Sequence, residues 1–234
     1  MQNGKTYLEK KSSLVFFVSL AFSFVFFAAC SSNENSVFSI NPSVVFEYET
    51  QNSKPAVSLS VFIQTEDKAQ RAVSLKITSK ENSLSWFVEN PVIFESDGKN
   101  WVGYPALKIP EGFQLENGLY NLVYTDAAGE EYFGNFMISY RKDLLESEIS
   151  SVREKAGVNL SENYAVFDKE MNLLYYGTKK KSWKSDDDIF KDFKDAYFLR
   201  KPLSTVSGSL VFLTPVECIA EENPKVKSSE DIEE

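Results

Sequence analysis

The chain has 234 residues, with 25 Lys and Arg against 34 Asp and Glu, a net charge of −9, and no histidine. Its acidity excludes nucleic acid and a bare anionic lipid surface as the main partner, because both recruit basic surfaces through counterion release. The lack of histidine removes Ser-His-Asp and Cys-His catalysis, His-containing zinc sites and the usual general base near neutral pH, leaving carboxylates, Lys, Tyr, Ser and Thr for any chemistry.

Lys5, Lys10 and Lys11 form a cationic flank, residues 14–27 an apolar core, and Phe27-Ala28-Ala29-Cys30 a small-residue run ending on a thiol. This pattern resembles a bacterial lipoprotein signal peptide. The resemblance implies cleavage after residue 29, acyl chains such as palmitate on Cys30, and a polar tether through residue 36. It places the protein in a bacterial cell envelope, on the periplasmic face or the cell surface, with the lipid bilayer as a partner through the anchor. The alternative is a transmembrane helix, but residues 14–29, interrupted by Ser19 and Ser23, number 16, and a span needs about 18 or more. Residues 1–29 carry three lysines and one glutamate, so the remaining 205 residues carry −11. The bias toward Phe, Lys, Ser, Asn and Glu resembles that of lipoproteins from low-GC bacteria or spirochaetes.

From 37 to 140 the pattern is β. Val57, Leu59, Val61 and Ile63 alternate with Ser58, Ser60 and Phe62, and Val73, Leu75 and Ile77 alternate with Ser74, Lys76 and Thr78. Period two predicts half-buried strands. Further strands are predicted at 44–48, 84–88, 92–94, 101–109, 119–125 and 132–139. They are separated by Asn90-Pro91, Asp97-Gly98, Pro110-Glu111-Gly112, Asn117-Gly118 and Ala128-Gly129. Short strands at this spacing predict a sandwich.

The run 110–120, the segment 121–129 and the strand 133–138 resemble the last two strands of an immunoglobulin-like or fibronectin-type-III-like domain. Tyr120 stands where such domains have a tyrosine corner, its hydroxyl bonded back to the preceding loop. Trp86 and Trp101 are candidate core anchors; for Trp101 and Tyr104 the alternative is a role as exposed binding aromatics.

After Tyr140 the period changes. Leu145, Ile149, Val152 and Ala156 line one face of a predicted helix over 143–157, with Asp143 as its cap and Gly157 as its end. A hairpin is predicted from 164–167 and 173–176, a second helix over 185–197, and a closing strand over 210–216. The expected fold class is therefore mainly β: an immunoglobulin-like β-sandwich over 37–140, a small α+β module over 141–216, and an acidic tail over 217–234. With Cys30 acylated, Cys218 is the one remaining thiol and reads as a semi-buried structural residue.

Asp186, Asp187 and Asp188 follow Ser185 at a helix start, where capping accounts for them, and they lack the Gly and distant Glu of an EF-hand loop. Lys179, Lys180, Lys181 and Lys184 surround Trp183. The cluster reads as a solvated loop, with Trp183, Lys180, Lys181 and Lys184 as the best candidate contact site for a partner. No Gly-rich phosphate loop, CxxC pair or nucleophile elbow is present, and Glu146 and Glu148 point to different helix faces. No catalytic residue, metal ligand or cofactor is predicted. The expectation is a non-enzymatic, membrane-tethered protein that contacts another envelope protein; the alternative is a ligand-binding or carboxylate-based hydrolytic lipoprotein acting on envelope glycans or small molecules.

Overall fold

The computed structural model describes residues 35–36, 39–65 and 72–220. The expected signal peptide, Cys30, the tether up to residue 34 and residues 221–234 of the tail lie outside the described residues. In chain order the strands are β1 (Asn35–Ser36), β2 (Ser39–Glu47), β3 (Ala56–Thr65), β4 (Ala72–Ser79), β5 (Ser85–Glu89), β6 (Val92–Ser96), β7 (Lys99–Lys108), β8 (Gly118–Asp126) and β9 (Glu131–Ile138). They continue with β10 (Leu160–Glu162), β11 (Tyr164–Phe167), β12 (Leu173–Gly177), β13 (Phe198–Arg200), β14 (Leu203–Thr205), β15 (Leu210–Leu213) and β16 (Glu217–Cys218).

Strands β2 to β9 make two antiparallel sheets, ordered β2-β3-β7-β6 and β9-β8-β4-β5. Lettered A, B, C, C′, D, E, F and G along the chain, they are an ABED sheet and a GFCC′ sheet, the immunoglobulin-like arrangement. Alternation fills the space between them. Leu59, Val61 and Ile63 of β3 and Leu75 and Ile77 of β4 are fully buried, and each such side chain contributes about 1.5–3 kcal/mol. Val73 departs from the expected phase. The β4–β8 register slips between Ala72 and Ser74, which turns Val73 outward and buries Ser74.

Tyr120 begins to explain how the end of the sandwich is closed. Its ring is fully buried and stacks on Phe136 at 5.5 Å, and its hydroxyl donates to the Glu116 carbonyl at 2.8 Å. That is the tyrosine corner, on strand F where the resemblance put it. Tyr140 donates to the neighbouring Leu115 carbonyl, Asn117 exchanges hydrogen bonds with the Tyr140 backbone at 2.8 and 2.9 Å, and Trp86 Nε1 donates to the Lys108 carbonyl at 2.8 Å. Trp86 is thus a core anchor, as expected.

The segment after Tyr140 is interleaved with the sandwich rather than appended to it. β15 pairs in parallel with β2, from Leu210 opposite Val44 to Leu213 opposite Glu47, so the predicted closing strand forms but stops at Leu213. β14 pairs with β15 and β10 with β14, giving one sheet ordered β10-β14-β15-β2-β3-β7-β6. Phe212 is fully buried and stacks on Phe46 at 5.0 Å. The edge of strand A is thereby covered. Pro42, which has no N–H to give, sits in the part of β2 before the β15 pairing begins. Strands β11, β12, β13 and β16 form the sheet of the small α+β module, ordered β12-β11-β13-β16, over a second core that includes Tyr164, Val166, Trp183, Ile189, Phe190 and Leu199. The hairpin expected at 164–167 and 173–176 is β11 and β12.

Both predicted helices are broken. The expected helix over 143–157 is a 3-10 turn at Lys142–Glu146, a second at Ile149–Ser151, and a short helix α1 (Val152–Lys155). Ser147 is buried and its hydroxyl donates to the Asp143 carbonyl four residues back at 2.5 Å, while Ser147 and Glu148 are extended. The side chain replaces the helical backbone bond. Arg141, not Asp143, is the N-cap. The kinked path still turns Leu144, Ile149, Val152 and Ala156 into the sandwich core, although Leu145 is only partly buried. The second predicted helix is a 3-10 turn at Asp186–Asp188 followed by α2 (Ile189–Asp192). Phe193 leaves the helix, and the Tyr197 amide already bonds the Phe167 carbonyl at 2.8 Å at the edge of the β11–β13 pairing. The tail starts later than expected: Glu217 and Cys218 form β16, Ile219 is buried, and Cys218 is exposed on this edge strand rather than semi-buried. Among the described residues no helix is long and apolar enough to cross a membrane.

Candidate binding site

The cluster expected to be a contact loop is built differently. Trp183 is 3% exposed and packs on Tyr164, Tyr175 and Phe193 with centroids 5.1–6.3 Å away. Its indole N–H donates to Asp192 Oδ2 at 2.8 Å. Lys180 lies 5.1, 5.2 and 4.7 Å from the rings of Tyr175, Trp183 and Phe193, and its Nζ bonds the same Asp192 oxygen at 2.9 Å. Trp183 is therefore a core residue, and Lys180 closes that core through cation–π contact and an ion pair. The aromatic neighbours of Trp183 come from β11, from β12 and from the residue after α2, which the local sequence did not reveal. Only Lys181 and Lys184 of the expected site remain as exposed side chains.

The acidic run beside it is also engaged. Asp188 pairs with Lys191 and accepts hydrogen bonds from the backbone N–H groups of Lys184 and Ser185, and the Lys191 bond first, then the two amides, hold its carboxyl down at about 2. With the Ser185 side chain they complete a capping box. Asp186 pairs with Lys201 at 2.8 Å. Among the described residues no three His, Cys, Asp or Glu side chains gather as a metal site.

The most distinctive groove lies on the outer face of the ABED sheet. Phe62 of β3, Phe94 and Ser96 of β6, Lys99 and Trp101 of β7, Asn41 of β2 and Asp97 line an open groove of about 280 Å³. Period two explains the placement: Val61 and Ile63 point inward, so Phe62 points out, and Trp101 has the opposite phase to the buried Val102. Phe62 and Phe94 meet edge to face at 5.2 Å, and Phe94 lies opposite Trp101 across the β6–β7 pair. Gly103 is needed here. A Cβ on it would stand 2.5 Å from the Phe62 ring and 2.1 Å from the Val61 carbonyl oxygen, so the missing side chain makes room for Phe62. The hairpin turns through Asp97 (φ 52°) and Gly98 (φ 70°), the two-residue turn with both residues left-handed.

Trp101, expected as a core anchor, is thus a half-buried member of an outer surface, and Tyr104 is 38% exposed on the same strand. The sequence marked Trp101 but passed over Phe62, Phe94 and Asn41. Their signal was available: an aromatic in the polar phase of an alternating strand belongs on the outer face. A second, larger depression of about 500 Å³ lies where Val57, Lys108, Phe113 and Leu145 meet, its loop held by Tyr120 and Tyr140. Its lining residues lack the aromatic row.

No protein-family model, curated protein or solved structure matches this chain. Function therefore rests on the chain's own residues.

Proposed function

We propose that this chain is a lipid-anchored protein of a bacterial cell envelope that acts without catalysis, its immunoglobulin-like sandwich serving as a binding module. The observation that carries the binding role is the Phe62–Phe94–Trp101 groove, a row of rings held on three paired strands and open to solvent. The anchor rests on the lipoprotein-like run ending at Cys30. Several acyl chains, at about 0.8 kcal/mol per buried methylene, hold a protein on a bilayer without any span. Two features favour binding over hydrolysis. Glycoside hydrolysis takes two facing carboxyl groups, and the groove holds one, Asp97. Among the described residues, Asp143, Asp168, Asp188 and Asp192 have their carboxyls held low by hydrogen bonds to a cation or an N–H group, which suits pairing rather than proton donation.

The test has two arms. Cys30→Ser should abolish fatty-acid labelling and recovery in the detergent phase; persistent labelling of that variant would remove the anchor. Capture from gently solubilised membranes should recover an envelope component with the wild type and lose it with Trp101→Ala. Equal recovery by both would remove the groove.

A further inference from the structure

We infer that the occupant of the groove is a neutral saccharide, one or two sugar rings wide. This rests on the groove being the binding site and adds the chemistry of what fills it.

Three observations converge. The first is the floor. Phe62, Phe94 and Trp101 give the groove an apolar lining, with Phe62 and Phe94 edge to face, and a pyranose offers apolar C–H bonds to such a lining while keeping its hydroxyls at the perimeter. The second is the perimeter. Asn41 supplies a donor and an acceptor, Ser96 a hydroxyl, Asp97 an acceptor, Lys99 a donor, and the Trp101 indole a further donor. None of these side-chain atoms is engaged in a hydrogen bond or ion pair among the described residues, whereas the indoles of Trp86 and Trp183 are both bonded internally. A ligand rich in hydroxyl groups uses donors and acceptors alike. The one cation and one anion of the rim cancel, so an anionic ligand would face Asp97 and a cationic one Lys99, and neither gains from the field of the site. The third is size. About 280 Å³ lies close to the lower limit of small-molecule clefts, about 300 Å³, which is room for one or two sugar rings. The side chains stand on three hydrogen-bonded strands, so little ordering is needed when a ligand arrives.

The structure provides its own reporter. Trp86 and Trp183 are buried and bonded, so a ligand in the groove changes the emission of Trp101. The protein purified from membranes in detergent is titrated with tetra-N-acetylchitotetraose, cellotetraose and maltotetraose into the millimolar range, with location read from tryptophan emission and affinity from calorimetry. At least one saccharide should give a saturable change, and Trp101→Ala should weaken its binding about tenfold or more. Asn41→Ala and Asp97→Asn alter exposed rim groups and should each weaken it severalfold, which keeps the test decisive if Trp101→Ala disturbs folding. A neutral Phe- and Tyr-containing peptide is titrated in parallel. No saturable change with any of the three saccharides overturns the inference, as does saccharide binding that all three variants leave intact. Peptide binding that depends on Trp101, without saccharide binding, overturns the saccharide assignment while leaving the groove as a binding site; capture indifferent to Trp101 removes both.

Discussion

Replacing Tyr120 by Phe removes one hydroxyl and nothing else from the corner that closes the sandwich. The ring stays fully buried between Trp86 and Phe136, so no cavity forms. What is lost is the 2.8 Å bond to the Glu116 carbonyl, worth about 1 kcal/mol net. A carbonyl left bare and dry would cost about 1–3 kcal/mol more, but Glu116 is only half-buried, so water reaches part of that loss. Ser79, beside the same hydroxyl, keeps its bonds from the Glu81 and Asn82 amides at 3.1 and 3.3 Å. The sum is about 1–2 kcal/mol, or a fall of about 2–8 °C in Tm for a domain of this size. Tyr140→Phe supplies the comparison. Its hydroxyl donates to Leu115, which is 3% exposed, so the abandoned carbonyl has less access to water and the loss should exceed that of Tyr120→Phe. Burial, followed by the charges of Glu116 and Tyr120, pushes the Tyr140 hydroxyl up to about 12, so it remains a donor in any melt near neutral pH. Urea and thermal melts of the two single variants and the double variant measure all three, and adjacent acceptors should make the effects non-additive. A neutral Tyr120→Phe, or a smaller loss for Tyr140→Phe than for Tyr120→Phe, would refute the reasoning.

Two further outcomes follow from the second core. Trp183→Ala empties a site that is 3% exposed and takes from Asp192 its indole donor and from Lys180 one of its rings, while the Lys180–Asp192 pair remains, so it should cost about 3–5 kcal/mol, and a denaturant melt showing under about 1 kcal/mol would return Trp183 to the surface. Asp188 has its carboxyl lowered to about 2 from an unfolded value near 3.9, so its contribution is fully present above about pH 4 and is lost as pH falls from there toward 2. The stability difference between wild type and Asp188→Asn should therefore shrink over that window; a difference constant from neutral pH to pH 2 would show that Asp188 is not so held.

The eight strands of the sandwich were legible because their cause is local. Alternation with period two, broken by Gly, Pro, Asn and Asp turns, describes a surface buried on one side; it fails at Val73, where a register slip no single strand can announce reverses the phase, and along β7, where a second slip opposite Leu59 and Val61 leaves Tyr104 and Ala106 exposed and buries Leu107. Tyr120 was legible for a similar reason, since its acceptor lies four residues away. The breaks in the predicted helices were not. The apolar positions at 149, 152 and 156 do reach the core, but the Ser147 hydroxyl takes the Asp143 carbonyl and the chain runs extended through Ser147 and Glu148. Strand β15 depends on β2, more than 160 residues earlier, and Trp183 depends on rings from β12 and beyond α2. A sequence window contains neither partner. The same holds for the groove: Phe62, Phe94 and Trp101 are each visible as aromatics within predicted strands, but only the pairing of β3, β7 and β6 sets them side by side, because in a sheet adjacency is decided by hydrogen bonds between segments far apart in the chain.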